Sequence, residues 1–229
     1  RPTNPSGNVI SDEELARVAG QCRDAGVPLI IDSAYGLPFP GMIYTEATPF
    51  WDENTILCLS LSKLGLPGVR TGIVVADTAV TQLIRNANAI NGLAPARTGP
   101  ELLLPLIERR QLSDLCERVI KPHYLAKQQR AIDTMLTAAH DLPVRIHKPD
   151  GAMFLWTWFE DLPGGTDELY RRGVAEGIIT VPGRHFFQGL ESSWQHAREC
   201  LRINYAGEPD VVCEGIERLV NIARRQYRG

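Results

Sequence analysis

The chain has 229 residues, a formal charge of −3 and 44% hydrophobic residues. That composition suits a folded protein of one or two domains and argues against a surface for nucleic acid or membrane. No apolar run approaches the roughly 18 residues of a membrane span, and the opening residues do not read as a signal peptide.

The five cysteines, Cys22, Cys58, Cys116, Cys200 and Cys213, are scattered and include no C-x-x-C. They read as reduced core residues of a cytoplasmic protein. The five histidines lack ligand spacing, so no metal site is expected. Residues 1–8 carry no initiator Met and read as a turn from inside a domain. The chain is therefore expected to be a C-terminal portion, with an N-terminal half missing from it.

In chain order, Ser11 and Glu14 form a capping box and open a helix with Leu15, Val18, Ala19 and Cys22 on its apolar face. Residues 27–31 are a short strand, buried on both faces, that ends at Asp32. In an α/β sheet ligands bind at that edge, although an aspartate there serves equally as a turn cap. Tyr35 follows, in a position that also suits a loop aromatic. Residues 55–59 are a second apolar strand, stopping at Ser60-Leu61-Ser62-Lys63. Gly65, Pro67 and Gly68 turn the chain, and Arg70 precedes a third strand at 71–76.

Two hydroxyls, an amine and a guanidinium at one strand end suit a phosphorylated ligand that carries an aldehyde. Hydroxyls and guanidinium bind phosphate oxygens, and a lysine condenses with a carbonyl as a Schiff base. Taken alone, S-L-S-K is a common turn sequence. Strands alternating with helices predict a mostly parallel sheet.

Helices are predicted over 78–92, 100–107 and 114–139, the last bent at Pro122. Beyond about residue 144 the pattern changes to strands at 152–158, 178–181 and 200–205 and helices at 167–176 and 209–227. The expected division is a large domain over 1–140 and a small α+β domain over 141–229. Arg202 interrupts an apolar strand. A buried arginine there is costly unless paired, and alternation alone favours a wet strand face.

The segments N-P-S-G (4–7), D-S-A-Y (32–35), S-L-S-K-L-G-L-P-G-V-R (60–70) and L-R-I-N-Y (201–205), in this order, resemble the class I/II aminotransferases of pyridoxal-phosphate fold type I. The resemblance covers the whole chain. It implies an α/β fold with a mostly parallel large-domain sheet, incomplete at its N-terminal side, and a smaller α+β domain.

The resemblance implies pyridoxal 5′-phosphate as cofactor, with Lys63 as Schiff-base lysine and proton shuttle. Asp32 would pair with the pyridinium nitrogen, and Tyr35 and Asn4 would meet the ring O3′. Ser60, Ser62 and Arg70 would hold the phosphate. Arg202, with Asn4 beside it, would clamp the substrate carboxylate. The reaction implied is amino transfer between an L-amino acid and a 2-oxo acid.

Finer matches at 36–41 (G-L-P-F-P-G), 147–156 (H-K-P-D-G-A-M-F-L-W) and 181–187 (V-P-G-R-H-F-F) point to valine or alanine with pyruvate. Trp156, Phe186 and Phe187 are candidates for an apolar side-chain pocket, Trp156 serving equally as core. The resemblance also implies a homodimer. A fold type I lyase, a pyridoxal-phosphate-sensing regulator and an inactive remnant remain open as alternatives.

Overall fold

The computed structural model describes residues 1–94, 96–191 and 193–229. Its contacts divide the chain into two units: Arg1–Pro2 with Val9–Pro122, and Thr3–Asn8 with His123–Gly229.

The first unit opens with helix α1 (Asp12–Asp24). Its capping box is formed: Glu14 N donates to Ser11 Oγ (3.2 Å), and Ser11 N donates to Glu14 Oε2 (3.0 Å). Strands β1 (Leu29–Asp32), β2 (Thr55–Ser60) and β3 (Gly72–Val75) make a sheet of order β1-β2-β3. β1 and β2 run parallel, with Asp32 level with Cys58. β3 departs from the parallel expectation and runs antiparallel to β2, pairing Ser60 with Gly72. The physical reason lies in residues 61–71. They hold only two single 3-10 turns, and a parallel return needs a longer crossover, usually a helix.

Helices α2 (Thr78–Gly92), α3 (Thr98–Glu108) and α4 (Gln111–Leu115) follow. Leu15, Ile31, Phe39, Leu57, Leu59, Leu61, Leu103 and Leu112 close one core over one face of the sheet. In this chain Ile31 of β1 is 7% exposed, while its neighbour Ile30 is 66% exposed.

The bend expected at Pro122 is a π turn, Cys116–Ile120, in which Lys121 N donates to Cys116 O. Proline lacks an N–H and crowds the carbonyl four residues back, and a widened turn just before it relieves both problems.

Helix α5 (Lys121–Ala138) then enters the second unit. Within the long helix the two units meet at 122/123. Gln128, Ala131 and Met135 of α5 are buried there. Lys127 Nζ donates to Ala206 O and Gly207 O, both at 2.9 Å, which binds the helix to this unit.

The second unit continues with β4 (Val144–Ile146), β5 (Phe154–Phe159), α6 (Gly165–Ala175), β6 (Val181–Pro182), α7 (Gln195–Glu199), β7 (Cys200–Asn204) and α8 (Pro209–Arg228). Its sheet has the order β4-β5-β7-β6, with every pair antiparallel. The strand expected at 178–181 is confined to Val181–Pro182. Pro182 has no N–H for a longer ladder, and Gly183–Phe186 turns at once into a 3-10 helix. That turn sits hard against the sheet: a Cβ on Gly183 would lie 2.6 Å from Ala197 O and 2.7 Å from Cys200 O.

α8 buries Ile216, Leu219, Val220, Ile222 and Ala223. Each of the four larger side chains contributes roughly 1.5–3 kcal/mol on full burial, before conformational entropy is counted. Arg224 clasps this helix to the end of α5, with Nε and Nη2 on the two Asp141 oxygens (2.9 and 2.7 Å) and Nη2 on Ala138 O (2.6 Å).

Two outcomes follow. Gly183→Ala should lower stability by about 1–3 kcal/mol, since the new methyl would meet two backbone oxygens and the Cys200 Cβ; chemical denaturation reads this. The Arg224 hydrogen bonds hold the Asp141 carboxyl at about 2, below its ordinary 3.8. A pKa depressed by folding adds stability above the ordinary value and loses it as pH falls through the folded one. Arg224→Ala should therefore lower the melting temperature near neutral pH, and the gap to the parent should close as pH falls from about 4 to about 2.

Candidate functional site

β2 alternates Thr55, Leu57 and Leu59 inward with Ile56, Cys58 and Ser60 on the other, half-buried face. Asp32, level with Cys58, shares that face at the end of the neighbouring strand. Its side chain closes an Asx turn, Oδ1 accepting from Ala34 N (2.9 Å), and Ser33 N extends the ladder to Cys58 O (2.8 Å). The aspartate is thus both cap and available carboxylate. Burial first, and the Asp32 charge second, push the Cys58 thiol pKa up.

Beyond Ser60 the chain reverses around Leu61, which is fully buried. Leu61 N donates to Thr71 O (3.2 Å), and Leu61 O accepts from Leu64 N and Leu66 N, both at 3.1 Å. Gly65, at φ +102°, turns the chain in a conformation that glycine adopts without strain. The tethered loop presents its polar groups together. Ser62 N donates to Ser60 Oγ (3.2 Å), and Arg70 Nη1 donates to Ser62 Oγ (3.4 Å) and Pro67 O (3.2 Å). Arg70 itself sits at φ +46°, a left-handed backbone that costs a non-glycine residue on the order of 1–3 kcal/mol. Lys63 Nζ lies 5.5 Å from the centroid of the Tyr35 ring. The first unit therefore gathers Asp32, Tyr35, Ser60, Ser62, Lys63 and Arg70 at the ends of β1 and β2.

The second unit holds the other two predicted residues. Arg202 lies on β7, level with Trp156 of β5 and Val181 of β6, so it is internal to the sheet. Its cost there is offset by three contacts. Nη1 donates to Asn4 Oδ1 (2.6 Å), and the guanidinium carbon lies 4.5 Å from the Phe154 ring centroid and 5.0 Å from that of Phe186.

Asn4 is placed by a short turn in which Thr3 N donates to Asn8 O and Gly7 N to Thr3 O, both at 2.9 Å. Gly7, at φ +71°, docks so closely that a Cβ would stand 2.7 Å from Gly151 O. The loop beneath is held in turn: Gln128 Nε2 donates to Pro149 O (3.0 Å), and Tyr205 Oη donates to Ala152 O (2.9 Å).

Trp156 is buried and meets Phe186 edge-on at 5.5 Å, so it packs as core against one of the other aromatics expected near the substrate. The stacking of Phe154 on Arg202 was not expected from sequence. Its signal was present, since Phe154 and Trp156 alternate onto the strand face that a level Arg202 shares. Among the described residues no group of three or more His, Cys, Asp or Glu is placed to hold a metal, and no helix is long and apolar enough to cross a membrane.

The model of the aminotransferase class I and II family matches residues 1–219. Valine–pyruvate aminotransferase of Escherichia coli (strain K12) is 46% identical over 227 residues, which are 99% of this chain and 54% of the relative. The crystal structure of valine–pyruvate aminotransferase from Salmonella typhimurium LT2 superposes at a TM-score of 0.93 and 47% identity, over 100% of this chain and 59% of that one. A multiple substrate aminotransferase from Thermococcus profundus gives a TM-score of 0.79 over 99% of this chain and 55% of that one; at 23% identity it bears on the fold alone. The chain spans about half the length of the curated relatives it matches. The match nevertheless covers nearly all of its own residues, and the chain belongs to the aminotransferase class I and II family.

Proposed function

We propose that the protein is an aminotransferase that passes an amino group between an L-amino acid of the valine or alanine type and pyruvate, with pyridoxal 5′-phosphate as carrier. The observation that carries this reading is the loop after β2, where Lys63 stands over Tyr35 while Ser60, Ser62 and Arg70 converge beside it. These residues fit the cofactor by their donor chemistry. Two hydroxyls and a guanidinium suit a phosphate, the Lys63 amine suits an aldehyde, and the Asp32 carboxylate suits a protonated pyridine nitrogen.

When bound, the cofactor supplies an aldehyde carbon for an amine and a ring that withdraws electrons from the substrate α-carbon. Lys63 would hold the aldehyde carbon and would serve as the base for the substrate α-proton. Asp32 would face the ring nitrogen and favour its protonated form, and Tyr35 would face the ring oxygen. Arg70, Ser60 and Ser62 would hold the phosphate. Arg202, whose Nη1 donates to Asn4 Oδ1, would receive the substrate α-carboxylate.

The valine–pyruvate pairing is supported by the names of the relatives at 46% and 47% identity and by the aromatic surroundings of Arg202. We place the protein in the cytoplasm, supported by five cysteines that are all free thiols. We also propose a homodimer, on the family resemblance. Sedimentation equilibrium of the full-length protein should give twice the monomer mass, and a monomer would end that proposal.

Borohydride reduction of the full-length holoenzyme should leave the cofactor on the peptide containing Lys63 and nowhere else. In Lys63→Ala that adduct should be absent and transfer from L-valine to pyruvate should fall by about 100- to 10,000-fold. An adduct on another lysine would remove Lys63 from the role. A much better rate with aspartate than with valine would overturn the substrate assignment, and elimination in place of transfer would indicate a lyase.

A further inference from the structure

We infer that Gln128 is a positioning residue of the substrate site: its side-chain amide ties the loop that seats the Asn4 turn to Tyr205, three residues beyond Arg202. This inference rests on the proposed reading of Arg202 and Asn4 as the carboxylate end of that site.

Gln128 lies on α5 and is buried. A side-chain amide carries two N–H donors on one nitrogen. Both are used here, Nε2 donating to Pro149 O (3.0 Å) and to Tyr205 Oη (3.2 Å). Proline has no N–H, so its carbonyl is the one backbone group by which a hydrogen bond can hold residue 149. Tyr205 Oη in turn donates to Ala152 O (2.9 Å), and Tyr205 N donates to Met153 O (3.1 Å). The loop over 149–152 is therefore gripped at both ends, from α5 at Pro149 and from the residue after β7 at Ala152.

The turn that carries Asn4 sits on this loop. Side chains close it together with its backbone bonds: Thr3 Oγ1 lies 2.7 Å from Ser6 Oγ, which accepts from Asn8 N (3.3 Å). A turn closed on itself is placed as one piece by what it touches. Gly7 is its seat, since a Cβ there would stand 2.7 Å from Gly151 O and 3.5 Å from Pro149 Cα. Both neighbours belong to the loop that Gln128 and Tyr205 hold. Asn4, three residues earlier in the turn, accepts from Arg202 Nη1 at 2.6 Å. One amide is thus linked to both partners of that bond, to Asn4 through Pro149 and Gly7 and to Arg202 through Tyr205. Hydrogen bonds weaken steeply when misaligned, so a shift of the seat is felt at Arg202. Gln128 acts through these residues and not by contact with substrate.

The test uses the full-length holoenzyme and two ligands, α-methylvaline, which has no α-proton to lose, and isobutylamine, which lacks the carboxylate. Calorimetry gives both dissociation constants. Gln128→Met, which keeps the length but removes both donors, should weaken α-methylvaline by about three- to tenfold and leave isobutylamine unchanged. In turnover, KM for L-valine should rise by the same factor while kcat changes by less than about twofold. Gln128→Leu reads the same loss if the methionine variant does not fold. Met135→Ala, at a buried position seven residues on in the same helix, should lower the melting temperature and leave both dissociation constants at the parent values. Selective weakening by Met135→Ala, equal weakening of both ligands by Gln128→Met, or no change in either would overturn the inference and leave Gln128 as packing. Asn4→Ala separates the two levels. If it leaves α-methylvaline affinity intact, the reading of Asn4 at the carboxylate end has failed. If it weakens that affinity while Gln128→Met does not, only the role of Gln128 has failed. The double variant should bind α-methylvaline no more weakly than Asn4→Ala alone, and additive losses would show that Gln128 does not act through Asn4.

Discussion

An amine, two hydroxyls and a guanidinium can be held at one strand end only if the chain reverses there and stays reversed. In this protein the buried side chain of Leu61 supplies that constraint, with its backbone bonded to Thr71, Leu64 and Leu66. The loop is pinned at its root between two antiparallel strands, so its polar groups need no core of their own. Lys63 and Arg70 gain fixed positions without burial, and the left-handed backbone at Arg70 is the conformational cost of pointing its side chain back toward Ser62. The neighbouring parallel strand brings Asp32 to the same edge because parallel strands end on the same side.

The second unit solves a different problem. A guanidinium internal to a sheet is destabilising unless its donors are bonded and its faces are packed. The solution uses side chains from three separate segments: Asn4 from a turn, Phe154 from β5 and Phe186 from the turn after β6. Two glycines without room for a Cβ, Gly7 and Gly183, seat two of those three segments. Small residues thus serve the charged one, by letting backbone approach backbone closely enough to bring the partners within reach.

The same economy governs how α5 is shared. A helix that follows the first unit in sequence packs with the second, because Lys127 caps the carbonyls of Ala206 and Gly207 and Arg224 clasps the far end through Asp141. Cationic side chains at carbonyl-rich chain ends are favourable wherever they occur. Apolar periodicity alone assigns the helix to neither unit.

What the amino-acid order determined by itself was local. The Ser11–Glu14 capping box, the β2 alternation ending at Ser60 and the apolar stripe of α8 follow from hydrogen-bond reach and from the two periodicities of the backbone. Strand ends marked the places of Asp32 and Lys63, and an interrupted apolar strand marked Arg202, while the roles expected of these residues, of Tyr35 and of Arg70 came from the family resemblance. Tertiary structure decided the rest, because it depends on which surfaces find partners. The antiparallel course of β3 and the π turn before Pro122 are choices among locally equivalent states. The rings around Arg202 belong with them. Phe186 lies 16 positions before Arg202 in the chain. Only the pairing of β6 with β7 turns that separation into a contact of 5.0 Å.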